Sequence, residues 1–299
     1  MKLDILEKCN LCPWECKVNR LKKEVGYCKA TDKVKIALSN LHYYEEPCIS
    51  GENGSGTIFF TGCNMNCKFC QNYKISQEGL GKEIEIEELA QEFLKLQQQN
   101  ANNINLVTGF MYIPQIIEAI KIAKNNGLNI PIVYNTSGYE KVESLRMLDG
   151  YVDVYLPDFK YFDNEIAQNL SQVKNYSDVA KKAIQEMYRQ VGIPKFDKKG
   201  IIKKGIIIRH LVLPNYIENS KKVLNWIKQN IDNEVYVSIM AQYFPTNRAL
   251  ETKDINRKLN EKEYKEIEQY VLDLDFNGYM QDLEENEEQY VPNFENNNI

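Results

Sequence analysis

Apolar residues in this chain gather into short, continuous runs, separated by longer stretches in which they recur every three or four positions. The runs at 57–61, 104–107, 131–134, 152–156, 206–211 and 235–239 are rich in β-branched and aromatic residues. Such runs predict strands buried on both faces, as in a parallel sheet covered by helices. Between them the period lengthens. Residues 83–99 set Ile84, Ile86, Leu89, Phe93, Leu94 and Leu96 mainly along one side, while 114–126 open on Pro114 and stop at Gly127. Both patterns predict helices, and further helices are expected at 141–148, 177–191, 219–230 and 261–272. Six strands alternating with helices define a parallel α/β architecture with right-handed crossovers. A partial (β/α)6 barrel fits this count, and a doubly wound open sheet shares its periodicity. In either fold the loops after the C-terminal ends of the strands form the active face.

The pattern also divides the chain. Residues 1–50 are Cys- and Lys-rich with short apolar stretches, and the glycine-rich turn at 51–56 closes them off. They read as a metal-binding extension with its linker, residues 51–280 as the core domain, and the acidic, asparagine-rich 281–299 as a flexible tail. No apolar run approaches the ~18 residues of a membrane span, and Met1-Lys2-Leu3-Asp4 opens no signal peptide. A cytoplasmic protein without a membrane partner is expected. With 37 basic against 42 acidic residues, the net charge of −5 argues against a nucleic-acid partner.

Cysteine changes the picture most. There are eight, at positions 9, 12, 16, 28, 48, 63, 67 and 70, and none follows. The chain is too long for a disulfide scaffold, and its cysteines cluster at metal-ligand spacing. Cys63, Cys67 and Cys70 follow the first core strand at C-x3-C-x2-C spacing, so three thiolates on one loop converge on one centre. Structural zinc wants four ligands, and no fourth Cys or His lies nearby. A cubic 4Fe-4S cluster has four irons, so three thiolates leave one iron open to a chelating substrate. Cys9, Cys12, Cys16 and Cys28 make a complete set of four, which suits a closed centre: zinc, or a fully ligated second 4Fe-4S cluster. Cys48 has no partner at ligand spacing and reads as a small buried hydrophobe.

The triplet, with Phe69 before its last cysteine and its place after the first strand, resembles the radical S-adenosylmethionine (SAM) superfamily. The wider pattern is similar to uncharacterised iron–sulfur proteins homologous to pyruvate formate-lyase activating enzyme. It comprises the CxLCPxxCxVNR element at 9–20, the GxC at 26–28, and segments at 54–60, 104–108, 134–139, 155–160, 209–215 and 241–245, spread over residues 9 to 280. The resemblance implies that SAM chelates the open iron and that an electron from the cluster cleaves it to methionine and a 5′-deoxyadenosyl radical. That radical abstracts a hydrogen atom from the substrate. An electron donor such as flavodoxin or ferredoxin, anaerobic chemistry and a protein substrate for an activase-like enzyme are implied with it.

The same resemblance assigns candidate SAM-binding residues and marks departures. Activating enzymes usually carry Gly-Gly-Glu after the second strand, where this chain has Val107-Thr108-Gly109, leaving Thr108 as a weaker acceptor. Where they often have Asp-Thr-Asn-Gly, this chain has Asn135-Thr136-Ser137-Gly138. Asp158 and Lys160 keep the pattern and, two apart on an extended segment, share a face. Arg209 completes the candidate set; it and His210 are adjacent on a strand, so one faces the site and the other packs outside. Gln242 and Tyr243 follow the last strand, where they either bind substrate or close the barrel, and the 42–46 linker reads as a lid or an ordinary surface loop. Two other functions stay open: radical modification of a small molecule or peptide, and an iron–sulfur electron carrier or sensor that does not cleave SAM.

Overall fold

The computed structural model describes residues 3–283 together with Pro292 and Phe294. The expected flexible tail lies outside the described residues from 284 onward, apart from those two. Each predicted strand is present: β2 (Ser55–Phe60), β4 (Ile104–Val107), β5 (Ile132–Thr136), β6 (Val154–Pro157), β8 (Ile202–Leu211) and β9 (Tyr236–Met240). They pair in parallel, in that order, and a further parallel strand, β10 (Asn277–Met280), joins β9. On the other side β1 (Val34–His42) pairs antiparallel with β2, and β3 (Lys82–Ile84) with β1. The short β7 (Lys195–Phe196) pairs with β8. Part of the segment read as linker is thus a strand of the core sheet, between β2 and β3. Strand order decides between the two predicted architectures: the parallel strands follow one another in sequence with no reversal, and the sheet is an open, partial barrel.

The helices predicted from periodicity are α3 (Ile86–Gln98), α4 (Ile113–Asn125), α5 (Val142–Met147), α7 (Tyr176–Val191), α8 (Ile217–Asn230) and α9 (Glu261–Asp273). Short α1 (Pro47–Ser50), α2 (Tyr73–Ser76) and α6 (Asn164–Ser171) complete the described set. Asn260 caps α9 in a capping box with Glu263, which satisfies otherwise orphaned N–H groups.

Strand parity sorts the core into two layers. Ile104, Leu106, Ile132, Tyr134, Tyr155, Ile206 and Ile208 face outward and pack with the helices in the main core. Val133, Val154, Leu156 and Ile207 face the other way, where Cys48 and Ile49 of α1 plug the barrel interior. Cys48 is therefore a packing residue. Above the plug the inward positions turn polar, at Asn135, Asp158 and Arg209, near the strands' C-terminal ends.

The sheet's two flanks meet across a gap. His42 at the end of β1 and Tyr279 of β10 line one cavity, although the two strands belong to opposite sides of the strand order. No helix among the described residues is long and apolar enough to cross a membrane.

Candidate radical SAM site

Cys63, Cys67 and Cys70 lie on the loop that leaves β2, and elements on several sides hold that loop. Asn64 donates to the Tyr139 carbonyl (2.6 Å) while its own carbonyl accepts from the Trp14 indole (2.8 Å). The backbone N–H groups of Asn66 and Lys68 donate to carbonyls of α6, Ser171 and Leu170 (3.0 and 2.8 Å). Arg248 donates to the Asn66 carbonyl (2.8 Å). Donors also reach the sulfurs: Ser171 Oγ gives a hydrogen bond to Cys67 Sγ at 3.0 Å, and Ser76 Oγ lies 3.2 Å from Cys70 Sγ.

All three cysteines line one cavity of about 200 Å³, together with Thr108, Asn135, Asp158, Lys160 and Arg209. The structure thus brings together the cluster triplet and every candidate SAM-binding residue. Burial raises all three thiols, Cys67 to about 11 even with Lys160 nearby. Such thiols give up their protons to a metal rather than to water. Among the described residues no three Cys, His, Asp or Glu side chains converge closely enough to hold a single ion. A cube does not need that convergence, because each thiolate binds a different iron, and three cysteines around one cavity fit it.

The charges beside the triplet form a chain. Lys160 Nζ pairs with Asp158 Oδ2 (2.5 Å), and Asp158 Oδ1 accepts from Arg209 Nε (2.9 Å). Arg209 also reaches Glu45 Oε2 (3.0 Å) and Asn135 Oδ1 (2.9 Å). Burial would raise the Asp158 carboxyl, but Lys160 and Arg209 outweigh it and hold it below its ordinary value. Burial likewise opposes the charge on Lys160, and Asp158 and Cys67 outweigh it. Thr108 adopts φ 60°, a left-handed conformation rare for a β-branched residue, while its N–H donates to the Asn135 carbonyl (2.9 Å).

Parity separates Arg209 from His210 as expected. His210 is buried outside the barrel between the Phe159 carbonyl (2.7 Å) and Ser220 Oγ (2.8 Å), and burial drives its pKa down to about 4. It is a satisfied core histidine. Tyr243 is also structural, with its hydroxyl donating to the Ile255 carbonyl, whereas Gln242 lines the cavity. Glu45 is the site residue that the sequence reading missed. It belongs to the 42–46 segment and meets Arg209 from the far side of the barrel.

The N-terminal cysteines also come together. Cys9, Cys12, Cys16 and Cys28 line a small cavity closed by Phe110 and Met111. The Tyr27 N–H donates to Cys16 Sγ (3.4 Å), and buried Arg20 lies 3.8 Å from Cys9 Sγ while donating to the Met111 carbonyl (2.6 Å). Burial pushes the Cys12 thiol up to about 12. This knuckle abuts the triplet loop: a Cβ on Gly62 would sit 2.5 Å from the Cys28 carbonyl oxygen, and Trp14, bonded to Asn64, stacks on Tyr27 at 4.0 Å.

A partial barrel with three cysteines on the loop after its first parallel strand defines the class, and the chain belongs to the radical SAM superfamily, whose model matches residues 57–241. Membership implies radical chemistry with a 4Fe-4S cluster and SAM. The chain is 36% identical, over 91% of its length and 77% of the relative's, to an uncharacterised protein of Methanocaldococcus jannaschii. It is 24% identical to the pyruvate formate-lyase-activating enzyme of Clostridium pasteurianum, over 80% of this chain and 99% of that one. Among solved structures, methylornithine synthase shares the fold, with a TM-score of 0.50 at 14% identity over 73% of this chain and 68% of that one.

Proposed function

We propose that the protein cleaves SAM reductively at Cys63, Cys67 and Cys70 and abstracts a hydrogen atom from a substrate held beside them. The observation that carries this reading is the shared cavity: the three thiols and the Lys160–Asp158–Arg209 chain face one another across it. When bound, the cluster supplies one electron to SAM. The protein's residues do the rest. The three cysteines hold the cluster by three of its corners. Asp158 and Lys160 offer one negative and one positive group, kept ionised by each other, to the oppositely charged ends of an amino acid. Asn135 and Thr108 add polar contacts, and the buried walls exclude water.

The test is anaerobic reconstitution with iron, sulfide, reductant and SAM. Formation of 5′-deoxyadenosine is expected, and Cys67→Ala, which removes one of three ligands, should abolish it and lower the iron content. Formation undiminished in that variant overturns the assignment, and SAM bound but never cleaved favours the carrier or sensor reading.

The similarity to an activating enzyme supports a protein substrate with a glycine to be activated, and flavodoxin or ferredoxin as electron donor. The N-terminal knuckle is proposed to hold a second 4Fe-4S cluster that passes electrons to the first, since the two loops are in direct contact. Zinc is its rival. About 8 irons per chain supports two clusters, and about 4 irons with about 1 zinc supports a structural staple. Cys12→Ala should lower whichever metal the knuckle holds.

A further inference from the structure

Arg20 ends the CxLCPxxCxVNR element and is only 1% exposed. A guanidinium keeps its charge in proteins, so burying one without an anion is costly. Its Nε and Nη2 donate to the Thr31 carbonyl, Nη1 donates to the Met111 carbonyl (2.6 Å), and the Tyr112 ring lies 5.7 Å away. All of these partners are neutral. Among the described residues no carboxylate pairs with it, whereas Arg209 has both Asp158 and Glu45. The remaining contact is to sulfur: Nη1 lies 3.8 Å from Cys9 Sγ, and Arg20 shares its cavity wall with all four N-terminal cysteines.

Each of those sulfurs is met by a donor. The Tyr27 N–H donates to Cys16 Sγ (3.4 Å), and the backbone N–H groups of Trp14 and Ala30 face Cys12 and Cys28. For Cys9 the donor is Arg20 itself. A Cβ at Gly26 would come within 2.6 Å of Cys16 Sγ, so the turn there leaves the sulfur room. Donors aimed at sulfur suit a thiolate, because a neutral thiol is a weak acceptor. Four thiolates on zinc, or on a 4Fe-4S core, leave a net charge of about −2.

We infer that the four cysteines hold a negatively charged metal–thiolate centre and that Arg20 is its built-in counter-charge. The inference rests on the metal reading of the knuckle and adds the residue that balances the charge there. It holds for zinc and for iron alike. It excludes disulfides or neutral thiols, which leave the guanidinium uncompensated. Arg20 is a positioning residue and not a ligand. The Met111 carbonyl that it also holds belongs to the turn at Phe110–Tyr112, which follows Thr108. Attraction between Arg20 and the centre therefore fastens the extension to the barrel as well.

The test uses the anaerobically reconstituted full chain, followed by urea unfolding and by timed loss of metal to EDTA. The knuckle's metal is the share that Cys12→Ala lacks. Arg20→Gln keeps a donor for the carbonyls and removes the charge. It is expected to lower the urea midpoint and to release the knuckle's metal about tenfold faster or more. Arg20→Lys, which keeps the charge, should retain the metal better than Arg20→Gln. The decisive comparison is the same change made in the Cys12→Ala protein. There the guanidinium has lost its anion, so Arg20→Gln should leave the midpoint unchanged or raise it. An equal drop in both backgrounds overturns the inference, because Arg20 is then a strut between carbonyls. Metal held as firmly by Arg20→Gln as by wild type overturns it too, and leaves the metal reading of the knuckle standing. If Cys12→Ala lowers neither iron nor zinc, that reading falls and this inference falls with it.

Discussion

Arg209 gathers partners from three places distant in sequence: Asn135 on β5, Asp158 after β6, and Glu45 after β1. Its planar fork suits this, and a lysine does not reproduce it. Arg209→Lys keeps the charge but leaves two of the three contacts unmade, at about 1.5–3 kcal/mol for each hydrogen bond to a charged group. A lower urea midpoint than wild type, with weakened SAM binding, is the expected outcome. An unchanged midpoint would show that the fork does not shape the site. The inward half of this constellation was legible in the sequence. Asp158 and Lys160 stand two apart at a strand end, and the alternation along β8 separates Arg209 from His210. Glu45 was not legible. Its segment has no period, reads as a lid or a surface loop, and meets Arg209 some 164 positions away.

Among the elements, the contact between the knuckle and the triplet loop depends on Gly62. Its φ is +100°, and any Cβ there would strike the Cys28 carbonyl. Gly79, at φ +82° with nothing within 4 Å of its Cβ position, isolates the backbone component. Gly79→Ala should cost about 1 kcal/mol from strain alone. Gly62→Ala should cost more and also lower iron occupancy, which iron analysis and thermal unfolding measure side by side. Equal effects would mean that the Cys28 backbone yields freely. The six core strands and their helices announced themselves through burial on both faces and regular stripes. By contrast, β1 is buried mainly in its first half and lies among residues chosen for metal ligation, and α6 offers only Ala167 and Leu170 as wholly apolar buried positions. Short or half-buried elements carry too little pattern to be read without their neighbours.

For the whole molecule, stability depends on carboxyls that the fold keeps dry. Glu140 is buried between the hydroxyls of Tyr134 (3.0 Å) and Thr136, and burial lifts its pKa from 4.5 to about 7. Its folded-state value is raised, so the folded chain holds this proton more tightly than the unfolded one. The resulting stability is complete below pH 4.5 and is lost as pH rises through about 7. Glu140→Gln retains an acceptor for Tyr134 and a donor for Thr136 without ionising. Relative to this variant, wild type should lose about 3 kcal/mol between pH 4.5 and 8 in urea unfolding. A constant difference across that range would place the charge elsewhere. The gap in the barrel has a wider consequence. The stretch shared with the superfamily, 57–241, carries the three cysteines, Asp158, Lys160 and Arg209. The cavity at the gap takes His42 to Pro47 from one flank of the sheet and Tyr279 to Gln281 from the other, both outside that stretch, but Asn135, Arg209 and Met240 inside it line the triplet cavity too. The borders are therefore not free to drift alone: whatever replaces them has to meet the Arg209 guanidinium, as Glu45 does here, so what sits at the rim and what sits beside the cysteines are tied through one side chain.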